Sequence, residues 1–186
     1  AKNEVYAAFK RHHEAGGYGR TAPAESLLKE MQRFAGYYAA INGGEYDDPE
    51  SERFFDRISK LDFSVATPLL MSFLDDYDGH AFAVEDLRAL LATTESYLFR
   101  RSICYGSSQG LNKFLPSLIA RLNRVQEEGG NYVEAFQAML MNETATARRF
   151  PRDDEFAIAL RTRDSYHYRC ALFMLGALEN SFHPKD

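Results

Sequence analysis

The sequence predicts an all-α fold of roughly eight or nine helices joined by short loops. Apolar residues recur with the 3.6-residue period of a helix along most of the chain, and almost no stretch alternates apolar and polar residues as a half-buried strand would. Residues that begin and end helices stand between the periodic segments. Because no internal repeat of fixed period is evident, the pattern favours a compact helical domain over a solenoid.

The composition is typical of a soluble protein with one hydrophobic core. Of the 186 residues, 45% are hydrophobic, and the net charge of -5 argues against a generally basic nucleic-acid surface while permitting a local one. The longest apolar runs are far shorter than the ~20 residues of a membrane-spanning helix. We therefore expect a single helical domain over residues 1–186 that has no membrane segment.

The N-terminus and the cysteines suggest the origin and location of the chain. It begins without Met, and helical spacing is present from Val5 onward, so we expect a fragment of a longer multidomain protein. Cys104 and Cys170 are far apart and have no CxxC context, which predicts free thiols in a reducing cytoplasm.

Two helices are predicted near the N-terminus. The first covers residues 3–14, and Pro23 opens the second, which ends at the stop signal Asn42–Gly44. The second helix has apolar residues at heptad-like spacing, namely Leu27, Met31, Phe34, Tyr38 and Ile41.

Two further helices precede the middle of the chain. Asp48 followed by Pro49 is a strong helix start, and Thr67 followed by Pro68 repeats the signal. The second of these helices is short and very apolar, so we expect it at the centre of the core.

The stretch from Val84 to Leu122 joins two strongly periodic helices through a polar turn. On the first helix, one apolar stripe extends to Arg101, while Arg100 is predicted to face solvent. A buried guanidinium needs a carboxylate or several acceptors. Since Glu179 falls within an apolar stripe of the last helix, we predict a structural ion pair between Arg101 and Glu179.

The remaining elements are also helical. Pro116 is expected to kink the second of those helices or to mark its true start. Asn131 with Glu134 forms a capping-box-like start for a short helix. A further helix begins near Asp153, and the last runs from about Tyr166 to Phe182.

No catalytic or cofactor-binding motif stands out. The five histidines have no zinc-ligand spacing, and the turn YGSSQG lacks the lysine of a phosphate-binding loop and does not follow a strand. The acidic runs around Asp76 and Asp154 are explained by solvated loops and helix starts. We therefore expect no cofactor or metal site in this chain.

The basic residues are the remaining candidates for a binding surface. One interpretation is a local surface that contacts a nucleic-acid backbone or a protein partner, and the other is solvated helix faces. The candidate contacts are Arg100, Lys113, Arg121, Arg124, Arg148 and Arg149.

Several segments together resemble one protein family. These segments occur in the same order as in the GmrSD-like, modification-dependent restriction proteins of bacteria, and they cover nearly the whole chain. They are residues 6–10 (YAAFK), 28–38 (LKEMQRFAGYY), 68–74 (PLLMSFL), 95–104 (ESYLFRRSIC) and 150–160 (FPRDDEFAIAL).

The resemblance implies a helical region between two catalytic domains. In that family a ParB/sulfiredoxin-like domain hydrolyses nucleotide and an HNH-type domain cuts DNA, as part of phage defence. Neither the Asp-Gly-Gln-Gln-Arg run of the former nor the Ile-Glu-His motif of the latter occurs here. The resemblance thus implies a cytoplasmic scaffold, not an enzyme by itself, whose partners are the flanking domains and the DNA backbone.

Two other functions stay open at this point. A stand-alone interaction module would show an exposed apolar groove bordered by aromatic residues, namely Tyr37, Tyr38, Phe54 and Phe55. A small helical enzyme would have a deep pocket with converging polar groups near Arg100, Arg101, Tyr166 and His167.

Overall fold

The computed structural model describes residues 4, 7, 8, 10, 11, 24–61, 64–105, 110–164 and 171–183. Within this part of the chain there are eight α-helices, one short 3₁₀ helix and no strand, which confirms the all-α prediction. The helices are α1 (Ala24–Ile41), α2 (Pro49–Lys60), α3 (Thr67–Asp78), α4 (Val84–Tyr105), α5 (Leu111–Glu127), α6 (Tyr132–Met141), α7 (Asp153–Thr162) and α8 (Ala171–Phe182), and the 3₁₀ helix is Ser64–Ala66.

The chain divides into two compact units, Ala1–Tyr37 and Tyr38–Asp186. In the first unit, the described residues of the predicted helix over 3–14 have helical backbone. The rest of that helix and Pro23 lie outside the described residues. One domain over residues 1–186 stays a prediction.

Asp48 begins α2 as the sequence predicted. Its side chain accepts a hydrogen bond from the backbone N–H of Ser51 at 3.0 Å, which satisfies a donor that the first helical turn leaves free. The same carboxylate accepts hydrogen bonds from the Arg88 guanidinium on α4. The start of α2 is thereby fixed to α4.

The short apolar helix α3 lies in the core of the second unit, which confirms its predicted position. Four of its side chains are at most 1% exposed, namely Leu69, Leu70, Phe73 and Leu74. The Phe73 ring contacts the Phe136 ring of α6 edge-on, at 5.2 Å between centroids. The Asp76 carboxylate accepts a hydrogen bond from the Tyr132 hydroxyl at 2.6 Å, so that α3 also positions the start of α6.

Helix α4 is the central element of the second unit. It packs against α2, α3, α6 and α7, and its buried residues are not confined to one face. The buried hydroxyl of Thr94 donates to the Leu90 carbonyl at 2.8 Å, so this polar group is satisfied within the helix.

Helix α5 begins at Leu111, not at Pro116. Gly110 precedes it with a φ of 84°, a left-handed conformation that glycine adopts without a steric penalty. Pro116 lies inside the helix, where it has no N–H to donate to the carbonyl of Asn112. Of the two predictions for Pro116, the helix start is wrong.

The helices α6 and α7 begin where they were predicted. The Asn131 side chain accepts a hydrogen bond from the Glu134 N–H at 3.0 Å. Helix α7 begins at Asp153 and has three acidic residues in its first turn, where the helix dipole favours negative charge. No helix in the described part of the chain is both long and apolar enough to cross a membrane.

Candidate functional site

The carboxyl end of α4 is surrounded by arginine side chains. The guanidinium of Arg163, which follows α7, donates hydrogen bonds to the carbonyls of Ser102 and Ile103. Carbonyls in the last turn of a helix have no intrahelical partner, and the negative end of the helix dipole attracts cations. The free carbonyls and the helix dipole at the end of α4 thus explain why arginine side chains gather there.

Arg101 is buried, as the stripe of α4 predicted. Its residue surface is 1% exposed, and its guanidinium lies 5.7 Å from the Tyr97 ring centroid and 5.1 Å from that of Tyr105. Contact with aromatic faces stabilises a desolvated cation. Burial nevertheless lowers the pKa of Arg101 from its ordinary value, because removal from water disfavours the charged form.

The structure does not bring Arg101 and Glu179 together. Glu179 lies exposed on α8, and no ion pair between these two residues occurs among the described side chains. The prediction assumed that the apolar stripe of α8 faces the core. In the structure only Phe173 of α8 is buried, so the predicted ion pair is not formed.

Arg100 does not face open solvent. Its guanidinium forms an ion pair with Asp153 at 2.5 Å and lies 5.1 Å from the centroid of the Phe156 ring. Because α7 covers this side of α4, the position opposite the apolar stripe contacts protein. The Arg100 guanidinium is already engaged in joining α7 to α4.

Arg148 and Arg149 also have intramolecular partners. Arg148 pairs with Glu143 at 3.2 Å, and its guanidinium lies over the Phe114 ring of α5. Arg149 pairs with Glu155, which also accepts a hydrogen bond from the Tyr105 hydroxyl at 2.7 Å. These contacts fix the segment between α6 and α7 to the ends of α4 and α5.

The protonation states in this cluster do not favour acid–base catalysis. Burial would raise the pKa of Glu155, but hydrogen bonds from Tyr105 and Arg149 outweigh it and hold that pKa below its ordinary value. Burial and the adjacent Glu155 raise the pKa of Tyr105 to about 12. Burial also raises the pKa of the Cys104 thiol. An efficient general acid or base has a pKa near neutrality, and each of these shifts leads away from it.

Three of the candidate basic contacts lie free on α5. Lys113, Arg121 and Arg124 are exposed, and they form no ion pair with another described residue. At 100° per residue they fall within an arc of about 80°, and they span about 17 Å along the helix. Since α5 has only one acidic residue, Glu127, this face is locally positive on an acidic protein.

The described residues contain no group of three or more histidine, cysteine or acidic side chains that could hold a metal ion. Asp76, from one of the acidic runs, is half-buried, and its burial raises its pKa. His80 and His183 are exposed. The histidines His12, His13 and His167, and most of the turn YGSSQG, lie outside the described residues.

A pocket of about 420 Å³ opens between α4, α6 and the segment that follows α6. Its lining includes Thr93, Ser96 and Gln137 beside apolar residues, and no charged side chain. Neither Arg100 nor Arg101, at which the small-enzyme alternative placed its pocket, lines it. Tyr166 of that alternative also lies outside the described residues.

The aromatic residues of the interaction-module alternative have different environments. Tyr37 and Phe55 are buried, at 7% and 1% exposure, whereas Tyr38 is exposed. The ring of Phe54 lies under the Arg57 guanidinium, 4.3 Å from the centroid. Phe55 is thus a core residue and does not border an open groove.

The main partners missed by sequence reasoning are distant in the chain. Arg57 donates two hydrogen bonds of 2.9 Å to Glu95, and Arg88 pairs with Asp48, 40 positions away. These are partly buried contacts between helices, and no local pattern in the sequence predicts them. Opposite charges at such separations are too common to predict a contact.

Comparison of the chain with models of protein families, with curated proteins and with solved structures finds no match.

Proposed function

We propose that this chain is a helical scaffold domain of a GmrSD-like restriction protein that contacts the DNA backbone through α5. The proposed placement is supported by the ordered set of segments in the sequence. The DNA contact is supported by one observation above all, the exposed and unpaired cations Lys113, Arg121 and Arg124 along one face of α5.

Ion pairs between helices support the scaffold role. Arg57–Glu95 and Arg88–Asp48 join α2 to α4, and Arg100–Asp153 joins α7 to α4. The two pairs between α2 and α4 are two-point contacts between a guanidinium and a carboxylate, which restrict orientation as well as distance. A central helix held in this way by its neighbours is suited to keep attached domains at a fixed spacing.

The α5 face has the dimensions of a phosphate-binding surface. Its cations cover about 17 Å, whereas successive phosphates of one DNA strand are spaced by about 3.4 Å along the helix axis. The three side chains can therefore reach phosphates on one stretch of backbone. Such contacts position a protein on DNA without reading its sequence.

The experiment measures binding of a short DNA duplex by fluorescence anisotropy at several salt concentrations. Replacing Lys113, Arg121 and Arg124 by Gln should reduce the slope of log K against log salt by up to about 2.7, since each phosphate contact contributes about 0.9. A matched control replaces three exposed arginines on or next to α2 and α7 by Gln, namely Arg53, Arg152 and Arg161.

The DNA contact is rejected if the α5 variant keeps the slope of the unmodified chain, if the control variant loses as much of the slope, or if the unmodified chain does not bind DNA. The family placement has a separate test, the reading frame on both sides of the gene segment. A Gln-Gln-Arg motif upstream and a Glu-His motif downstream would support it, and an unbroken frame without them would contradict it.

A further inference from the structure

Helix α8 is anchored on one side and apolar on the other. The Phe173 side chain is 7% exposed, and its ring centroid lies 4.8 Å from that of Phe99 on α4. The opposite side carries the α8 stripe, which consists of Leu172 (80% exposed), Leu175 (62%), Leu178 (52%) and Phe182 (74%).

The spacing of the α8 stripe is that of a helix-pairing surface. Leu175, Leu178 and Phe182 are separated by three and four residues, which is the alternation that keeps one seam facing a neighbouring helix. Glu179, four residues after Leu175 and therefore within the stripe, is the only charged residue of α8. An identical helix offers an equally apolar surface with the same spacing.

The exposed area is comparable with what a dimer requires. At about 200 Å² for a fully exposed large apolar side chain, the stripe presents roughly 500 Å² on each chain. This exposed area lies near the upper end of the range found for the largest apolar patch of a monomeric protein, roughly 300–600 Å². Two copies would bury roughly 1,000 Å² from these side chains alone, close to the ~1,200 Å² at which stable interfaces begin.

We propose that α8 packs against α8 of a second copy of this chain, with the two helices antiparallel about a twofold axis. In such an arrangement the same surface serves both partners. Homodimer interfaces are more apolar than the general protein surface, as this stripe is. Gly176 would border the interface and add to its area.

Sedimentation velocity of the 186-residue chain over a wide concentration range tests this proposal. The unmodified chain should form a dimer as its concentration rises. Leu175→Glu should raise the dimer dissociation constant by at least about tenfold, because it places an unpaired charge in the contact. Glu179→Ala should lower that constant, since it removes the one charge within the stripe.

Asn180→Glu is the matched control. It adds the same charge at an exposed position on the opposite side of α8, so the dimer should persist. Circular dichroism of the Leu175→Glu variant confirms that it folds, as expected for an exposed position. A chain that is monomeric at all concentrations would overturn the proposal and assign the stripe to another partner. A dimer that withstands Leu175→Glu would overturn it as well.

Discussion

The hydrogen bond between Tyr132 and Asp76 should be a measurable source of stability. Tyr132 is 6% exposed, and its hydroxyl donates to a half-buried carboxylate at 2.6 Å. Tyr132→Phe removes this donor and keeps the ring that packs against Phe73 and Phe82. A hydrogen bond to a charged group contributes about 1.5–3 kcal/mol, so we expect a loss of that size in the free energy of unfolding at neutral pH.

The loss should depend on pH. Burial raises the pKa of Asp76 in the folded state, so the stability contributed by this group is fully present below its unfolded pKa and is lost as the pH rises through its folded pKa. Removing the Tyr132 hydroxyl raises the folded pKa further, because that hydrogen bond favours the charged form. The cost of Tyr132→Phe should therefore be smaller below about pH 4, where the carboxyl is protonated in both states.

The assay is urea unfolding followed by circular dichroism at neutral and acidic pH, with the m value compared between variants. Tyr77→Phe is the control, since the Tyr77 ring stacks on the same Phe82 and no hydrogen bond of its hydroxyl is found within the described part of the chain. We expect less than about 0.5 kcal/mol for the control. The reasoning fails if both variants lose equal stability, or if the loss from Tyr132→Phe is the same at both pH values.

Two further predictions concern α2 and Cys104. Asp48→Ala should lower the free energy of unfolding by about 1–2 kcal/mol through loss of the helix cap alone. Asp47→Ala, at the exposed neighbouring position, should change it by less than about 0.5 kcal/mol in the same assay. Equal effects of the two substitutions would contradict the capping role of Asp48. In a Cys170→Ser background, iodoacetamide should alkylate Cys104 more slowly than it alkylates glutathione at neutral pH, because Cys104 is partly buried and its pKa is raised. The alkylation rate of Cys104 should increase with pH. A rate equal to that of glutathione would disprove the protection of this thiol.

The order and limits of the helices follow from local chemistry. Asp48 and Asn131 begin helices because a short polar side chain can accept a hydrogen bond from an N–H in the first turn. The inward position of Arg101 likewise follows from the period of α4, because residues three and four apart share a face. These features require only neighbours in sequence, so the sequence alone determined them.

The partners of the charged residues were decided by tertiary structure. A helical period tells which side chains share a face, but not which element packs against that face. The sequence therefore predicted that Arg100 faces solvent, whereas α7 covers it in the structure. The sequence likewise predicted that the apolar stripe of α8 faces the core. In the structure the large side chains of this stripe are exposed, and Glu179 does not pair with Arg101. The other candidate arginines, Arg100, Arg148 and Arg149, form ion pairs with carboxylates elsewhere in the fold. The cations of α5 therefore remain as the candidate DNA surface.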